Sequence, residues 1–148
     1  MRALIVEDNQ VMCEFLRRTL VDMPFEEVVV AHTGEEGLLR LHEDGFGLVL
    51  VDWMLPDTSG LELIRQIAGS MPPSERPQML MMTAYATVES AIEAMKLGAL
   101  DFLEKPFEDD RLIGKIQRRA HRVSVWREML HVDPLGHAPD RMRRRSRR

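Results

Sequence analysis

Apolar residues in this chain follow two alternating rhythms. Short apolar runs at Ala3–Val6, Val28–Ala31, Leu48–Val51 and Met79–Met82, and a fifth at Leu100–Leu103 that Asp101 interrupts, read as strands, the unbroken ones as strands buried on both faces. Between them, apolar positions recur every three or four residues, the period of a helix. After the first run, Asn9 is placed to cap a helix carrying Met12, Phe15, Leu16, Thr19 and Leu20, with Pro24 just past its end. After the second, Thr33-Gly34-Glu35-Glu36 has the Thr-x-x-Glu spacing of a capping box, opening a helix with Gly37, Leu38 and Leu41 on one face and Gly45 at its end. After the third, Trp53 to Gly60, with Pro56, Asp57 and Ser59, reads as a loop before a helix carrying Leu61, Ile64 and Ile67, and Gly69 to Pro77 as a connection. The fourth run leads into a helix from about Thr87, with Val88, Ala91, Ile92 and Met95 as its face and Gly98 as the C′ residue. The fifth is followed by Lys105-Pro106 and a helix from about Glu108 that the pattern extends toward Leu130.

Five β/α units with buried strands place the chain in the α/β class, a parallel sheet covered by helices on both faces. Such sheets carry their functional groups at the carboxyl ends of the strands. Here those groups are Glu7-Asp8, Asp52, Thr83 and Lys105, after strands one, three, four and five. Three carboxylates gathered at one edge repel one another, so at neutral pH they need a cation or must take up protons. Oxygen-only ligands with retained water suit Mg²⁺ better than Zn²⁺, for which no His or Cys cluster exists. Beside such a cation, Asp52 is the candidate nucleophile toward phosphorus, Lys105 a point charge for a phosphoryl oxygen, and Thr83 a hydroxyl donor to another.

Composition narrows the field. A length of 148 residues suits one domain, and the single Cys13 excludes a disulfide framework and points to a reducing, cytoplasmic setting. The apolar runs are far shorter than the roughly 20 residues a membrane span needs, and Met1 to Val6 does not resemble a signal peptide. Residues 1–120 hold 12 Lys+Arg against 21 Asp+Glu, a net −9, whereas residues 121–148 hold 8 against 3, a net +5. An acidic body is not that of a nucleic-acid reader; the Arg-rich end could touch phosphates or be a solvated tail.

Four segments in order carry a resemblance. Val6-Glu7-Asp8-Asn9, Val51 to Gly60, Met82-Thr83-Ala84-Tyr85 and Gly98 to Phe107 together closely resemble the response-regulator receiver domains of two-component signalling, over residues 1 to about 122. The resemblance implies a flavodoxin-like, doubly wound five-stranded parallel sheet of order 2-1-3-4-5. It also implies a phosphoacceptor at Asp52, served by a sensor histidine kinase or phosphotransfer protein. Mg²⁺ would be held by Asp8, Asp52 and the Met54 carbonyl, with Glu7 acting through water. Thr83 would move toward the phosphoryl group and Phe102 would turn inward, remodelling the surface of helix four, strand five and helix five for a downstream target or an output domain. Pro56 and Gly60 belong to the matched loop, Tyr85 stands where the family tunes water access, and Lys105-Pro106 is expected to be a cis peptide. Phe102 has no hydroxyl to favour either rotamer.

Beyond residue 122, the remaining residues 123–148 read as an extension of the last helix and a basic, disordered tail. Leu112, Ile116, Arg119, Val123, Trp126 and Leu130 form a short heptad-like seam that could pair two copies into a homodimer. Three rival functions bear on the same sheet edge. A dehalogenase-like phosphotransferase would want a second acid where Met54 stands, and a flavodoxin-like flavin carrier would want a Gly- and hydroxyl-rich loop where Glu7-Asp8 stand. The third is a receiver fold used as an interaction module without phosphorylation.

Overall fold

The computed structural model describes residues 1–43, 45–84 and 87–120. Tyr85, the expected extension of the last helix past Ala120 and the basic end therefore lie outside the described residues. The elements alternate: β1 (Arg2–Val6), α1 (Gln10–Val21), β2 (Val28–Ala31), α2 (Gly34–Leu41), β3 (Phe46–Asp52), α3 (Gly60–Ser70), β4 (Gln78–Thr83), α4 (Val88–Lys96), β5 (Asp101–Glu104) and α5 (Asp109–Ala120). A single 3₁₀ turn, Pro73–Glu75, interrupts the connection between α3 and β4. All neighbouring strands pair in parallel, in the order β2-β1-β3-β4-β5. The chain winds outward from β1 to β2 on one side and to β3 on the other, so the strand order reverses between β1 and β3.

Each strand is buried on both faces because its alternate residues enter two separate cores. Ala3, Ile5, Leu48, Leu50, Leu80, Met82 and Leu103 meet Leu16 and Leu20 of α1 and Leu112, Ile113 and Ile116 of α5. Leu4, Val6, Val49, Val51, Met79 and Met81 meet Leu41 of α2, Leu63, Ile64 and Ile67 of α3, and Ala94 of α4. Leu112 and Ile116, the first two positions of the heptad-like seam, are thus buried in the chain's own core.

Short polar residues start the helices. Asn9 Oδ1 accepts from the Met12 N–H at 2.9 Å and Ser59 Oγ from the Glu62 N–H at 3.1 Å. Thr33 Oγ1 accepts from the Glu36 N–H at 3.0 Å, but the expected box does not close on Thr33. The Glu36 carboxylate reaches one residue further back, to the His32 N–H, at 3.0 Å. A reciprocal box does form at α4, between Thr87 and Ser90, where a serine at N3 hides the usual Glu/Gln signal. The α2 helix stops at Leu41, before Gly45, which takes φ +96° in the turn toward β3. Gly98, at φ +104°, closes α4: its N–H donates to the Met95 carbonyl and the Ala99 N–H to that of Ala94, a Schellman arrangement.

Two expectations need correction. Gly60 is the first residue of α3 and not loop, because Ser59 caps the helix. An added Cβ on Gly60 would lie 2.3 Å from the Asp52 carbonyl oxygen, so only glycine lets α3 start against the end of β3. The face of α4 is also rotated from the expected one. Its buried residue is Ala94, whereas Val88, Ile92 and Met95 are 76%, 49% and 43% exposed. Trp53, Phe102, Met79 and Met81 already fill this side of the sheet, and the narrow space left admits the small stripe of the helix.

Gly60→Ala is expected to lose about 1–3 kcal/mol in urea denaturation, the cost of overpacking, despite alanine's better helix propensity. Ile92→Glu is expected to change stability by no more than about 0.5 kcal/mol, as for an exposed site; a loss of several kcal/mol would place Ile92 in the core.

Candidate active site

Strand register brings the charged residues together. Val6 is level with Val51, and Asp52 with Met82, so Glu7 leaves β1 at the height where Asp52 ends β3. Thr83 is level with Glu104, and the Lys105 N–H donates to the Thr83 carbonyl at 2.7 Å. The five groups singled out by sequence therefore share one edge, at the ends of β1 on one side of the reversal of strand order and of β3, β4 and β5 on the other.

The Lys105 ammonium, from beyond β5, donates to Asp52 Oδ1 at 2.9 Å and to Glu7 Oε2 at 3.0 Å. Glu7 is nearly enclosed, at 1% exposure; Asp52 and Thr83 are buried and Asp8 is exposed. Ligand oxygens of Glu7, Asp8 and Asp52 all lie within 4.8 Å of one another. Burial raises the Glu7 carboxyl above its ordinary range; the Lys105 hydrogen bond opposes this and the Asp52 charge adds to it. For Lys105, burial pulls the ammonium down, but hydrogen bonds to Asp52 and Glu7 outweigh it and leave the group above its ordinary value.

Glu7 is anchored on every side. Its Oε1 accepts from the Asn9 N–H at 3.2 Å, and its own N–H donates to the Ala31 carbonyl. Its carbonyl accepts from the Cys13 thiol at 3.1 Å and faces His32 Nδ1 at 3.2 Å. Burial, with the nearby Glu7 and Asp8 charges, pushes the Cys13 thiol up to about 11, so it stays protonated and unreactive at neutral pH.

Met54 and Pro56 lie in the loop from Trp53 to Ser59, which is stitched at its base. The Trp53 N–H donates to the Met82 carbonyl and the Gly60 N–H to that of Trp53, both at 2.7 Å, while Leu55 N–H donates to Thr58 at 3.1 Å. The Met54 carbonyl takes part in none of these bonds, and its side chain is exposed. The Lys105–Pro106 peptide is cis. Phe102 lies half-buried in a small cleft with Trp53, Met81, Thr83, Ser90, Ala91 and Ala94, and Lys115 Nζ sits 5.8 Å from its ring centre. Sequence reasoning missed Lys115, which also pairs with Asp101 at 3.1 Å, and the side-chain bonds of Asp57, since neither belongs to a local motif.

Residues 3–117 match the model of the response regulator receiver domain. The chain belongs to this family. It is 36% identical over 127 residues to the transcriptional regulatory protein ZraR of Salmonella typhimurium, covering 85% of this chain and 28% of that protein. It is 33% identical over 129 residues to DltR, a transcriptional regulatory protein of Streptococcus agalactiae, covering 86% of this chain and 55% of that one. The chain thus spans about half or less of the length of these curated relatives. Among solved structures, a response regulator receiver domain protein (CheY-like) from Methanospirillum hungatei superposes with a TM-score of 0.70 at 30% identity, covering 80% of this chain and 91% of that one. Among the described residues of this receiver domain, no helix is long and apolar enough to cross a membrane.

The three carboxylates are hard oxygen donors, close together and open to solvent through Asp8, which fits a divalent cation that keeps several waters. Lys105→Met is expected to lose about 1.5–3 kcal/mol in EDTA, the worth of hydrogen bonds to charged groups. Because the variant lacks the ammonium that competes for the same oxygens, Mg²⁺ is expected to raise its thermal midpoint more than that of the wild type. Equal rises in both proteins would mean that Lys105 and the cation do not share these carboxylates.

Proposed function

We propose that this receiver domain accepts a phosphoryl group on Asp52 from a phosphohistidine of a sensor kinase or phosphotransfer protein, and signals by the resulting change of surface. The observation that carries the reading is the constellation itself: Asp52 buried at the tip of β3, bonded to Lys105 and clustered with Glu7 and Asp8. Thr83 ends the neighbouring strand β4.

In this reading an Asp52 carboxylate oxygen attacks phosphorus, the P–N bond breaks and the electron pair leaves with the imidazole, giving an acyl phosphate. Asp8, Asp52 and the Met54 carbonyl hold Mg²⁺, with Glu7 acting through water; when bound, the cation neutralises charge on the phosphoryl oxygens. Lys105 transfers one or more of its three donors from the carboxylates to a phosphoryl oxygen. Thr83 donates its hydroxyl to another oxygen, and the same site assists later hydrolysis. The protein thereby acts as a switch and not as an enzyme with a small-molecule substrate.

Movement of Thr83 changes the cleft it shares with Phe102 and α4, and Phe102 turns inward. The α4–β5–α5 surface then meets a downstream protein or an output domain. The exposed Val88, Ile92 and Met95 of α4 support this assignment, since three large apolar side chains on one helix face offer a partner something to bury. The dehalogenase-like and flavin-carrier readings lack the residues they need at Met54 and at Glu7-Asp8.

Intact mass after incubation with acetyl phosphate tests the reading. The expected outcome is a Mg²⁺-dependent gain of one phosphoryl group, absent in Asp52→Asn. No gain from acetyl phosphate or from candidate kinases would leave an interaction module that works without phosphorylation as the better account.

A further inference from the structure

The loop that carries Met54 is tied down at a second place, by a side chain that the chemistry above does not use. Asp57 stands near the loop's tip, and its two oxygens accept from the Gly34 N–H at 2.8 Å and the Glu35 N–H at 2.9 Å. These are the first two amides of α2, and Thr33 takes the third, that of Glu36. Asp57 therefore completes the cap of a helix more than twenty residues earlier in the chain, with its charge at the positive end of the helix dipole. Loop and helix meet so closely that an added Cβ on Gly34 would fall 2.4 Å from Thr58 Cγ2. The two amides hold the Asp57 carboxyl below the usual range, so it is ionised at neutral pH.

A loop stitched only at its base would leave its middle residues several backbone torsions to explore. The bonds from Trp53, Leu55 and Gly60 fix that base, and the Asp57 clamp fixes the tip. Met54 belongs to that base, flanked by Trp53 and Leu55 and bridged to Ser59, and the clamp holds the tip of the same short hairpin. We propose that Asp57 is a positioning residue for the cation site, restraining the loop so that the Met54 carbonyl is preorganised as a donor alongside Asp8 and Asp52. This rests on the reading of Met54 given above and adds a group that never touches the metal or the phosphoryl group. Orienting a ligand through its supporting bonds is a general device of metal sites, and its loss weakens binding without removing a ligand.

The test uses the 148-residue chain carrying Trp126→Phe to remove the second emitter, as the reference protein (called wild type below) and with Asp57→Ala, Asp57→Asn or Thr33→Ala added, in a Mg²⁺ titration followed by Trp53 fluorescence. Asp57→Ala is expected to raise the Mg²⁺ dissociation constant about tenfold. Asp57→Asn, with one acceptor oxygen left, is expected to fall between it and wild type. Thr33→Ala removes a bond from the same helix end without freeing the loop, so it should lower stability while leaving Mg²⁺ affinity unchanged. With acetyl phosphate, Asp57→Ala should need more Mg²⁺ for half-maximal labelling but reach the wild-type rate at saturation. Equal affinities for Asp57→Ala and wild type, or equal losses in Asp57→Ala and Thr33→Ala, would overturn the clamp alone. A wild type with no saturable Mg²⁺ response would overturn the reading of the site and the clamp with it.

Discussion

The site depends on the compensation of clustered negative charge by Lys105. Two unit charges about 4 Å apart interact by roughly 4 kcal/mol at an effective dielectric constant of 20, so carboxylates gathered at a buried sheet edge repel one another unless a cation stands between them. Lys105 bridges them at 3.0 and 2.9 Å. It comes from beyond β5, almost a hundred residues after Glu7, and the strand ends must meet in register for one ammonium to reach both carboxylates. The network is also unfinished in a useful sense. Its one ammonium meets two of the three carboxylates gathered there, and Asp8 stays exposed beside them.

The sheet delivers these groups because both its faces are filled. Alternate residues of each strand enter separate cores, one closed by α1 and α5 and the other by α2, α3 and α4. A shift of one residue in β3 would exchange its two sets of side chains and carry Asp52 off the edge. Close approaches sharpen the placement further, as where Gly60 starts α3 against the Asp52 carbonyl. The rigid part of the molecule thus ends in a charged rim, and the elements beyond the rim are held more lightly.

The α4 helix is the element held most lightly among the helices with described side chains. One small residue, Ala94, is buried, and the bulk of its apolar surface faces outward. Few buried contacts mean that little free energy opposes a change in its position. Phe102 and Thr83 share a cleft with it, which puts the element that has least to lose by moving beside the end of β4 at the charged rim.

Much of this was legible in the residues taken in order. Short apolar runs, unbroken in four cases and interrupted by Asp101 in the fifth, marked the five strands to within a residue or two, Asn9, Thr33 and Thr87 marked helix starts, and Glu7, Asp8, Asp52, Thr83 and Lys105 fell at strand ends where a parallel sheet collects its chemistry. These signals are local, because backbone periodicity and capping are decided within a few residues. Three features were decided only by tertiary packing. The inward stripe of α4 is the smaller of two adjacent apolar stripes, and only the bulk of Trp53 and Phe102 beneath it determines which one fits. Leu112 and Ile116 serve the chain's own core, although their spacing equally suits a seam between two chains. The Asp57 carboxylate caps a helix from a distant loop, a contact no spacing rule contains, since it exists only once β3 has been laid beside β1 and the two helix ends brought to one rim.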